Sequence, residues 1–154
     1  MARILIVEDD TMVRQLLRIV LRQQGHEIIE AQNGHEGLQQ YQAQLPDVVI
    51  TDIQMPKMDG LEMIQEIQRE VPDAIIIAIS GGPRSSLDAA EALGVRETFM
   101  KPFSLIMLRN TVDSLLNSAY PSSQRATWNE NRAWQVSQEN SQFSRHVSSN
   151  LGSL

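Results

Sequence analysis

The sequence RILIVEDD at residues 3–10 is an apolar run that ends abruptly in three acidic residues. Four further runs of strand-forming residues follow along the chain. The five runs occupy residues 3–7, 27–31, 47–51, 74–79 and 98–100. Three of them are almost continuous and rich in Ile and Val, which is typical of strands that are covered on both faces of a sheet. We therefore predict five strands, several of them buried.

Between these runs, apolar residues recur at intervals of three and four, as they do on one face of a helix. In the first such segment they are Val13, Leu16, Leu17, Val20 and Leu21. Turn residues mark the ends of other helices. Asn33-Gly34 precedes the second helix and Asp59-Gly60 the third, and Gly60 is interpreted as a residue that permits positive φ. Gly94 is expected to close the fourth helix as a left-handed cap.

Strands that alternate with helices of this length indicate βαβ units, whose crossovers are right-handed. The predicted fold class is therefore α/β, a doubly wound five-stranded parallel sheet with helices on both faces. A change of composition near residue 120 divides the chain into a domain at residues 1–120 and a polar C-terminal tail at residues 121–154.

Composition excludes several function classes. The 154 residues are 42% hydrophobic, carry a formal net charge of −6 and include no Cys. Disulfides, thiolate metal sites and thiol nucleophiles are thus excluded, and the acidic balance argues against direct DNA binding. No apolar run is long enough to span a membrane, and the N-terminus does not resemble a secretory signal, so we expect a cytoplasmic protein.

Polar residues follow four of the predicted strands. They are Glu8-Asp9-Asp10, Asp52, Ser80-Gly81-Gly82 and Lys101. Ligands of an open parallel sheet bind at this carboxyl edge. Clustered carboxylates need a cation, and Mg²⁺ prefers oxygen ligands, while a Lys, a Ser hydroxyl and backbone N–H groups at Gly81 suit an anion. The sequence therefore predicts that carboxylates, Mg²⁺ and a phosphoryl group meet here.

Four motifs, ILIVEDD, TDIQMPKMDG, IAIS and KPF, resemble in order and spacing the receiver domain of two-component response regulators, over about residues 2–119. The resemblance implies a flavodoxin-like (βα)5 receiver fold. It also implies an Asp that takes a phosphoryl group from a histidine kinase or a histidine phosphotransfer protein. Such a phosphorelay protein catalyses only its own phosphorylation and dephosphorylation, and it switches its binding to a downstream protein effector.

The resemblance assigns roles at the acidic end of the site. Asp52 is the phosphoacceptor, Asp9 is a direct Mg²⁺ ligand, and Glu8 acts on the metal through a bound water. Arg14 selects Asp9 over Asp10 as the direct ligand, because the family commonly places a basic residue five positions after it. Gln54 would supply its backbone carbonyl to the metal.

The resemblance also assigns the phosphate-binding side of the site. The Ser80 hydroxyl follows the phosphoryl group, the Lys101 ammonium contacts it, and the backbone at Gly81 allows close approach. The peptide before Pro102 is often cis in this family. One position departs from the family pattern, since Thr98 stands where Tyr or Phe usually precedes the Lys by three residues. Phe99 would face the other way and is interpreted as a core or helix contact.

Two alternatives come from other protein classes. A Mg²⁺-dependent phosphatase of a similar sheet fold also forms an aspartyl phosphate, but it typically carries an acid where this chain has Gln54, and an amide cannot act as general acid or base. A flavin-binding protein would need a phosphate-cradling loop after the first strand, where this chain has acids.

The tail at residues 121–154 has two features that favour different structures. Its Ser, Asn and Gln content favours disorder, although Val136, Phe143, Val147, Leu151 and Leu154 have a helical spacing that fits a docked or partner-induced helix. The tail is too short for a helix-turn-helix domain, so we expect output through another protein, at the face of the fourth helix, fifth strand and fifth helix. A receiver that belongs to a larger regulator remains an alternative.

Overall fold

The computed structural model describes residues 1–120 of the chain. Ten elements alternate in the predicted order: β1 (Arg3–Val7), α1 (Thr11–Arg22), β2 (Glu27–Ala31), α2 (Gly34–Gln44), β3 (Val48–Asp52), α3 (Gly60–Glu70), β4 (Ile76–Ser80), α4 (Arg84–Ala92), β5 (Glu97–Met100) and α5 (Leu105–Ala119). The predicted tail and its helical spacing lie outside the described residues. None of the helices within residues 1–120 is long and apolar enough to cross a membrane.

The five strands form one parallel sheet in the order β2-β1-β3-β4-β5. This confirms the predicted doubly wound fold. The chain moves from β1 to the neighbouring β2 on one side and then returns to place β3 on the other side of β1. The order therefore reverses between β1 and β3, and the carboxyl ends of these two strands flank the crevice where such sheets bind ligands.

Two strands extend one residue further than their apolar runs predict. The runs predict strands at residues 47–51 and 74–79, but the strands end at Asp52 and Ser80. Both polar residues continue the strand pairing, Asp52 opposite Ile79 and Ser80 opposite Met100. Hydropathy does not reveal this extension, because backbone pairing holds these residues in the sheet regardless of their side chains.

The sheet is buried between helices on both faces. On one face, Leu5, Val7 and Val49 pack with Met63, Ile64 and Ile67 of α3 and with Tyr41 of α2, and Ala78 packs with Leu87 and Ala90 of α4. Alternate strand residues such as Ile4 and Ile6 point to the opposite face and are fully buried as well, and α1 packs against β1 and β2. Every residue of β3 and β4 is buried, so these strands provide a fixed base for the groups at their ends.

Polar side chains cap three helices, and for two of them, α2 and α3, the turn residues predict the start. The side chains of Asp10, Asn33 and Asp59 accept hydrogen bonds from backbone N–H groups in the first turns of α1, α2 and α3. Gly94 follows α4 with φ +91°, which confirms the predicted left-handed cap.

The interpretation of Gly60 is wrong. Gly60 is the first residue of α3 and is not among the positive-φ residues of the described chain, whereas Lys57 in the same turn has φ 67°. Gly60 instead packs so closely on β3 that a Cβ there would overlap the backbone oxygen of Asp52. The position therefore requires the absence of a side chain, not an unusual backbone conformation.

Candidate functional site

The predicted site residues converge at the carboxyl edge of the sheet. Glu8 and Asp9 follow β1, and Asp52 ends β3, its neighbour. Each of the three carboxylates offers one oxygen, and these oxygens lie within 4.8 Å of one another. Glu8 and Asp52 are buried, with 1% and 6% of their surface exposed, while Asp9 is exposed. Asp9 is therefore the member of this acidic cluster that is accessible to solvent.

Lys101 bridges the two buried acids. Its Nζ donates to Oε2 of Glu8 at 2.9 Å and to Oδ2 of Asp52 at 3.1 Å. The residue follows β5, two strands away from β3, and reaches the cluster with its long side chain. The peptide between Lys101 and Pro102 is cis, as the family resemblance implies. A single ammonium therefore offsets part of the repulsion between two carboxylates.

The environment shifts two pKa values in this cluster. Burial raises the pKa of Glu8 to about 7, and this effect outweighs the hydrogen bonds from Lys101 and from the backbone N–H of Asp10, which lower it. Burial tends to lower the pKa of Lys101, but the hydrogen bond and charge of Glu8 and the charge of Asp52 raise it overall. Lys101 is thus an ammonium at neutral pH, while Glu8 exchanges a proton near neutrality when no metal is bound.

Backbone contacts fix the end of β3. The backbone N–H of Gln54 donates to Oδ1 of Asp52 at 3.3 Å. With Oδ2 held by Lys101, both carboxylate oxygens of Asp52 have defined partners. The Gln54 side chain is exposed and packs on Gly82, where a Cβ would overlap its amide. The sequence does not indicate this contact, because it depends on how two loops meet.

Ser80 lies at the end of β4, beside β3, and is completely buried. Its Oγ accepts a hydrogen bond from the backbone N–H of Gly82 at 3.1 Å. The intervening Gly81 lies against the methylene groups of Lys101, and a Cβ added there would meet the nearest of them at an ordinary van der Waals distance of 3.5 Å. The hydroxyl therefore holds the loop that leads directly into α4.

The one position that departs from the family pattern has its own partners. Oγ1 of Thr98 donates to Oε1 of Glu91 on α4 at 2.9 Å, and the same carboxylate oxygen pairs with Arg84 at 2.9 Å. Phe99 is half-buried and contacts the ring of Phe103, with centroids 5.9 Å apart. The sequence predicts a core or helix contact for Phe99, whereas the ring contact in the structure is to Phe103, in the loop before α5.

This arrangement has a defined chemical capacity. Asp52, at the end of a buried strand, lies beside two further acids and an ammonium, and the Ser80 hydroxyl is at the end of the neighbouring strand β4. Oxygen ligands in this number suit a small divalent cation, and the ammonium, hydroxyl and backbone N–H groups suit an anion. Charge neutralisation of this kind is the main contribution that proteins make to phosphoryl transfer.

Comparison with known proteins agrees with the geometry. Residues 4–113 match the response regulator receiver domain family. The chain is 35% identical over 118 residues to the chemotaxis protein CheY of Bacillus subtilis, covering 75% of this chain and 98% of CheY. It is 32% identical to sporulation initiation phosphotransferase F of the same organism, covering 74% of this chain and 93% of that protein. It is also 34% identical to the transcriptional regulatory protein PdtaR of Mycobacterium tuberculosis, but it spans only 51% of that protein.

Solved structures give the same result. The response regulator TrrA of Thermotoga maritima, solved in complex with Mg²⁺ and BeF, is 36% identical to this chain with a TM-score of 0.69; the match covers 75% of this chain and all of TrrA. A response regulator receiver domain protein from Clostridium thermocellum is 28% identical with a TM-score of 0.73, over 77% of this chain and 97% of that one.

Proposed function

This chain belongs to the response regulator receiver domain family of two-component systems, whose members act as phosphoacceptors, and from that premise we propose that it takes a phosphoryl group onto Asp52 and thereby switches its binding to a protein effector. The observation that carries the proposal is the position of Asp52 at the end of β3, with Lys101 on one carboxylate oxygen and the Gln54 N–H on the other. The receiver unit is proposed as residues 1–120, since α5 ends at Ala119.

The proposed reaction transfers phosphorus from nitrogen to oxygen. A carboxylate oxygen of Asp52 attacks the phosphorus of a phosphohistidine in line, the new P–O bond forms, and the P–N bond to the imidazole breaks. Lys101 can follow the transferring oxygens, because its Nζ already lies 3.1 Å from Oδ2 of Asp52. The acyl phosphate adds negative charge to a buried strand end, which the ammonium and the Ser80 hydroxyl would offset.

Receiver domains generally bind Mg²⁺ at an acidic site, and the residues of this chain fit that ion. Asp9, Asp52 and the backbone carbonyl of Gln54 would hold Mg²⁺ directly, and the ion would neutralise charge on the transferring phosphoryl group. Glu8 already uses both carboxylate oxygens, one for Lys101 and one for the Asp10 N–H. This supports a role for Glu8 through a metal-bound water rather than by direct coordination.

The proposed switch starts at Ser80. Its Oγ now accepts from the Gly82 N–H, and a χ1 rotation that carries Oγ toward a phosphoryl group would move it away from that N–H. The loop Gly81-Gly82-Pro83 would then move, and α4 begins at the next residue. Phosphorylation would in this way alter the surface of α4 without a rotating aromatic residue at position 98.

Exposed apolar side chains near the site support protein partners. Met12, Leu16 and Ile19 are 71%, 45% and 50% exposed and lie at helical spacing on α1, which begins two residues after Asp9. We place contact with a histidine kinase or histidine phosphotransfer protein on this face of α1. Ile106 and Met107 on α5 and Met100 on β5 are also exposed, and we place the effector on the face of α4, β5 and α5. A cytoplasmic location is part of the same proposal, as is the absence of direct DNA binding.

The experiment treats the full chain with acetyl phosphate and Mg²⁺ and measures phosphoryl incorporation by intact mass. We expect one phosphoryl group on the wild type and none on Asp52→Asn. Asp73→Asn, at an exposed position in the loop after α3, is the matched control and should incorporate one group as well. Undiminished incorporation in Asp52→Asn would refute the assignment. Turnover of a small phosphate ester at many equivalents per minute would instead favour the phosphatase alternative.

A further inference from the structure

The loop between β1 and α1 is held by an arginine that lies outside the acidic cluster. Nη1 of Arg14 donates to the backbone oxygen of Glu8 at 2.7 Å, and Nε pairs with Oε1 of Glu30 at 3.3 Å. Only 12% of the Arg14 side chain is exposed. A guanidinium with two fixed acceptors in a largely buried setting is well suited to define backbone geometry.

The other two residues of this loop besides Asp9, which are Glu8 and Asp10, are held by hydrogen bonds. The Asp10 backbone N–H donates to Oε1 of Glu8, its carboxylate caps α1, and its carbonyl accepts from the Arg14 N–H. Within residues 1–120, the Asp9 side chain makes no hydrogen bond or ion pair. The backbone on either side of Asp9 sets the direction in which its side chain leaves the chain, and Arg14 holds the carbonyl of the residue immediately before it.

We infer that Arg14 is a positioning residue for the cation site: by holding the Glu8 carbonyl it orients the Asp9 carboxylate toward Asp52. The inference rests on the proposed function, because it concerns the Mg²⁺ site proposed there. Groups that orient metal ligands through a second layer of hydrogen bonds typically change metal affinity by about 10–100-fold when they are removed.

Electrostatics and positioning predict opposite effects for the loss of Arg14. A guanidinium near the site repels a cation, so its removal would tighten Mg²⁺ binding if charge were its main contribution. Its pairing with Glu30 offsets that charge, which leaves the hydrogen bond to Glu8 as the larger effect. The direction of the change in Mg²⁺ affinity therefore distinguishes the two.

Arg18 provides a matched control. It pairs with the same Glu30 carboxylate, Nη1 to Oε2 at 3.4 Å, one helical turn further along α1. Its hydrogen bonds within the described residues do not reach the β1–α1 loop. Substitution of Arg18 thus removes an equal charge and a similar ion pair while leaving the Glu8 carbonyl with its partner.

The test measures the Mg²⁺ affinity of the metal-free full chain by isothermal titration calorimetry, together with urea unfolding. We expect Arg14→Gln to weaken Mg²⁺ binding about tenfold and Arg18→Gln to change it less than about twofold. Arg14→Lys, which keeps the charge but cannot reach both acceptors, should fall between the two, and it carries the test if Arg14→Gln does not fold.

Four outcomes overturn the inference. Unchanged or tighter Mg²⁺ binding by the Arg14 variants would do so, and so would an equal loss in Arg18→Gln. A lower unfolding midpoint with unchanged Mg²⁺ affinity of the folded protein would mean that Arg14 only stabilises the fold. Failure of the wild type to bind Mg²⁺ would overturn the proposed cation site as well, which separates the failure of the proposed function from that of this inference.

Discussion

The central and the edge strands of the sheet contribute to the site in different ways. β3 is buried at every residue, and it ends at a carboxylate that is 6% exposed. β5 pairs only with β4 within the described residues, and both of its terminal residues are exposed. The acids next to β1 and β3 are thus fixed by strands with neighbours on two sides, while Lys101 reaches them from an edge strand through a flexible side chain.

This difference explains where the chain can depart from its family. A substitution at the ends of β1 or β3 disturbs buried charged groups that depend on each other. Thr98 on β5 instead contacts Glu91 and, through it, Arg84, and these side chains are exposed or half-buried. The edge strand can therefore replace an aromatic residue with a polar one without changing the acidic cluster.

The largest effect on the free energy of unfolding is expected for a glycine that packs on a central strand, in comparison with a glycine that contacts Lys101 after the edge strand. In Gly60→Ala the new Cβ would overlap the backbone oxygen of Asp52, so we expect a loss of about 2–3 kcal/mol in the free energy of unfolding, typical of overpacking. In Gly81→Ala the nearest atoms are Lys101 methylenes at 3.5 and 3.6 Å, so the change should stay within about 0.5 kcal/mol. Urea unfolding of both variants measures these changes in the free energy of unfolding. Equal losses in the two variants would contradict the proposed difference between the central and the edge strands.

The next prediction concerns pH. Because burial raises the pKa of Glu8 to about 7 from 4.5, the metal-free folded protein binds a proton between these pH values that the unfolded chain does not. Its stability should therefore fall as pH rises through that window. Glu8→Gln lacks this titration, so its stability relative to wild type should rise between pH 5 and pH 8, on the order of 2 kcal/mol.

Urea unfolding in the presence of a chelator measures this difference across the pH range. Glu97→Gln, at the exposed start of β5, is the control and should show no comparable rise. A constant difference between Glu8→Gln and wild type from pH 5 to pH 8 would mean that burial of Glu8 does not govern its protonation.

The smallest change in the free energy of unfolding is expected for a substitution on the edge strand β5. Thr98→Val removes one partly exposed hydrogen bond to Glu91 and should cost about 1 kcal/mol or less. Thr98→Ser keeps the hydroxyl and should retain that bond. Phosphoryl incorporation from acetyl phosphate should be the same in both variants as in the wild type, whereas a loss of incorporation in Thr98→Val would show that the edge strand controls the acidic cluster.

The sequence is sufficient to predict the fold and to identify the polar residues at the carboxyl edge of the sheet. Apolar runs with polar ends locate the strands, and turn residues locate the caps at Asn33 and Asp59. The distances within the site depend on strand order, which places β1 beside β3 and which the apolar runs and turn residues do not determine. Lys101 can be expected near Asp52 because both follow strands at the same edge.

Other features could not be predicted, for physical reasons. The Arg14 contact uses a backbone carbonyl as acceptor, and no side-chain pattern identifies a carbonyl. The role of Gly60 depends on the close approach of α3 to β3, which is a tertiary contact rather than a local conformation. The strand ends at Asp52 and Ser80 depend on pairing with neighbours, which hydropathy along one strand does not report.

The most direct test of the central claim is a crystal structure of the chain with Mg²⁺ and beryllofluoride, which mimics an acyl phosphate. The account predicts beryllium on a carboxylate oxygen of Asp52, Mg²⁺ on Asp9 and Asp52, and fluorines within hydrogen-bond distance of Ser80 Oγ and Lys101 Nζ. Beryllium bound at any other residue, or Lys101 directed away from the fluorines, would contradict it.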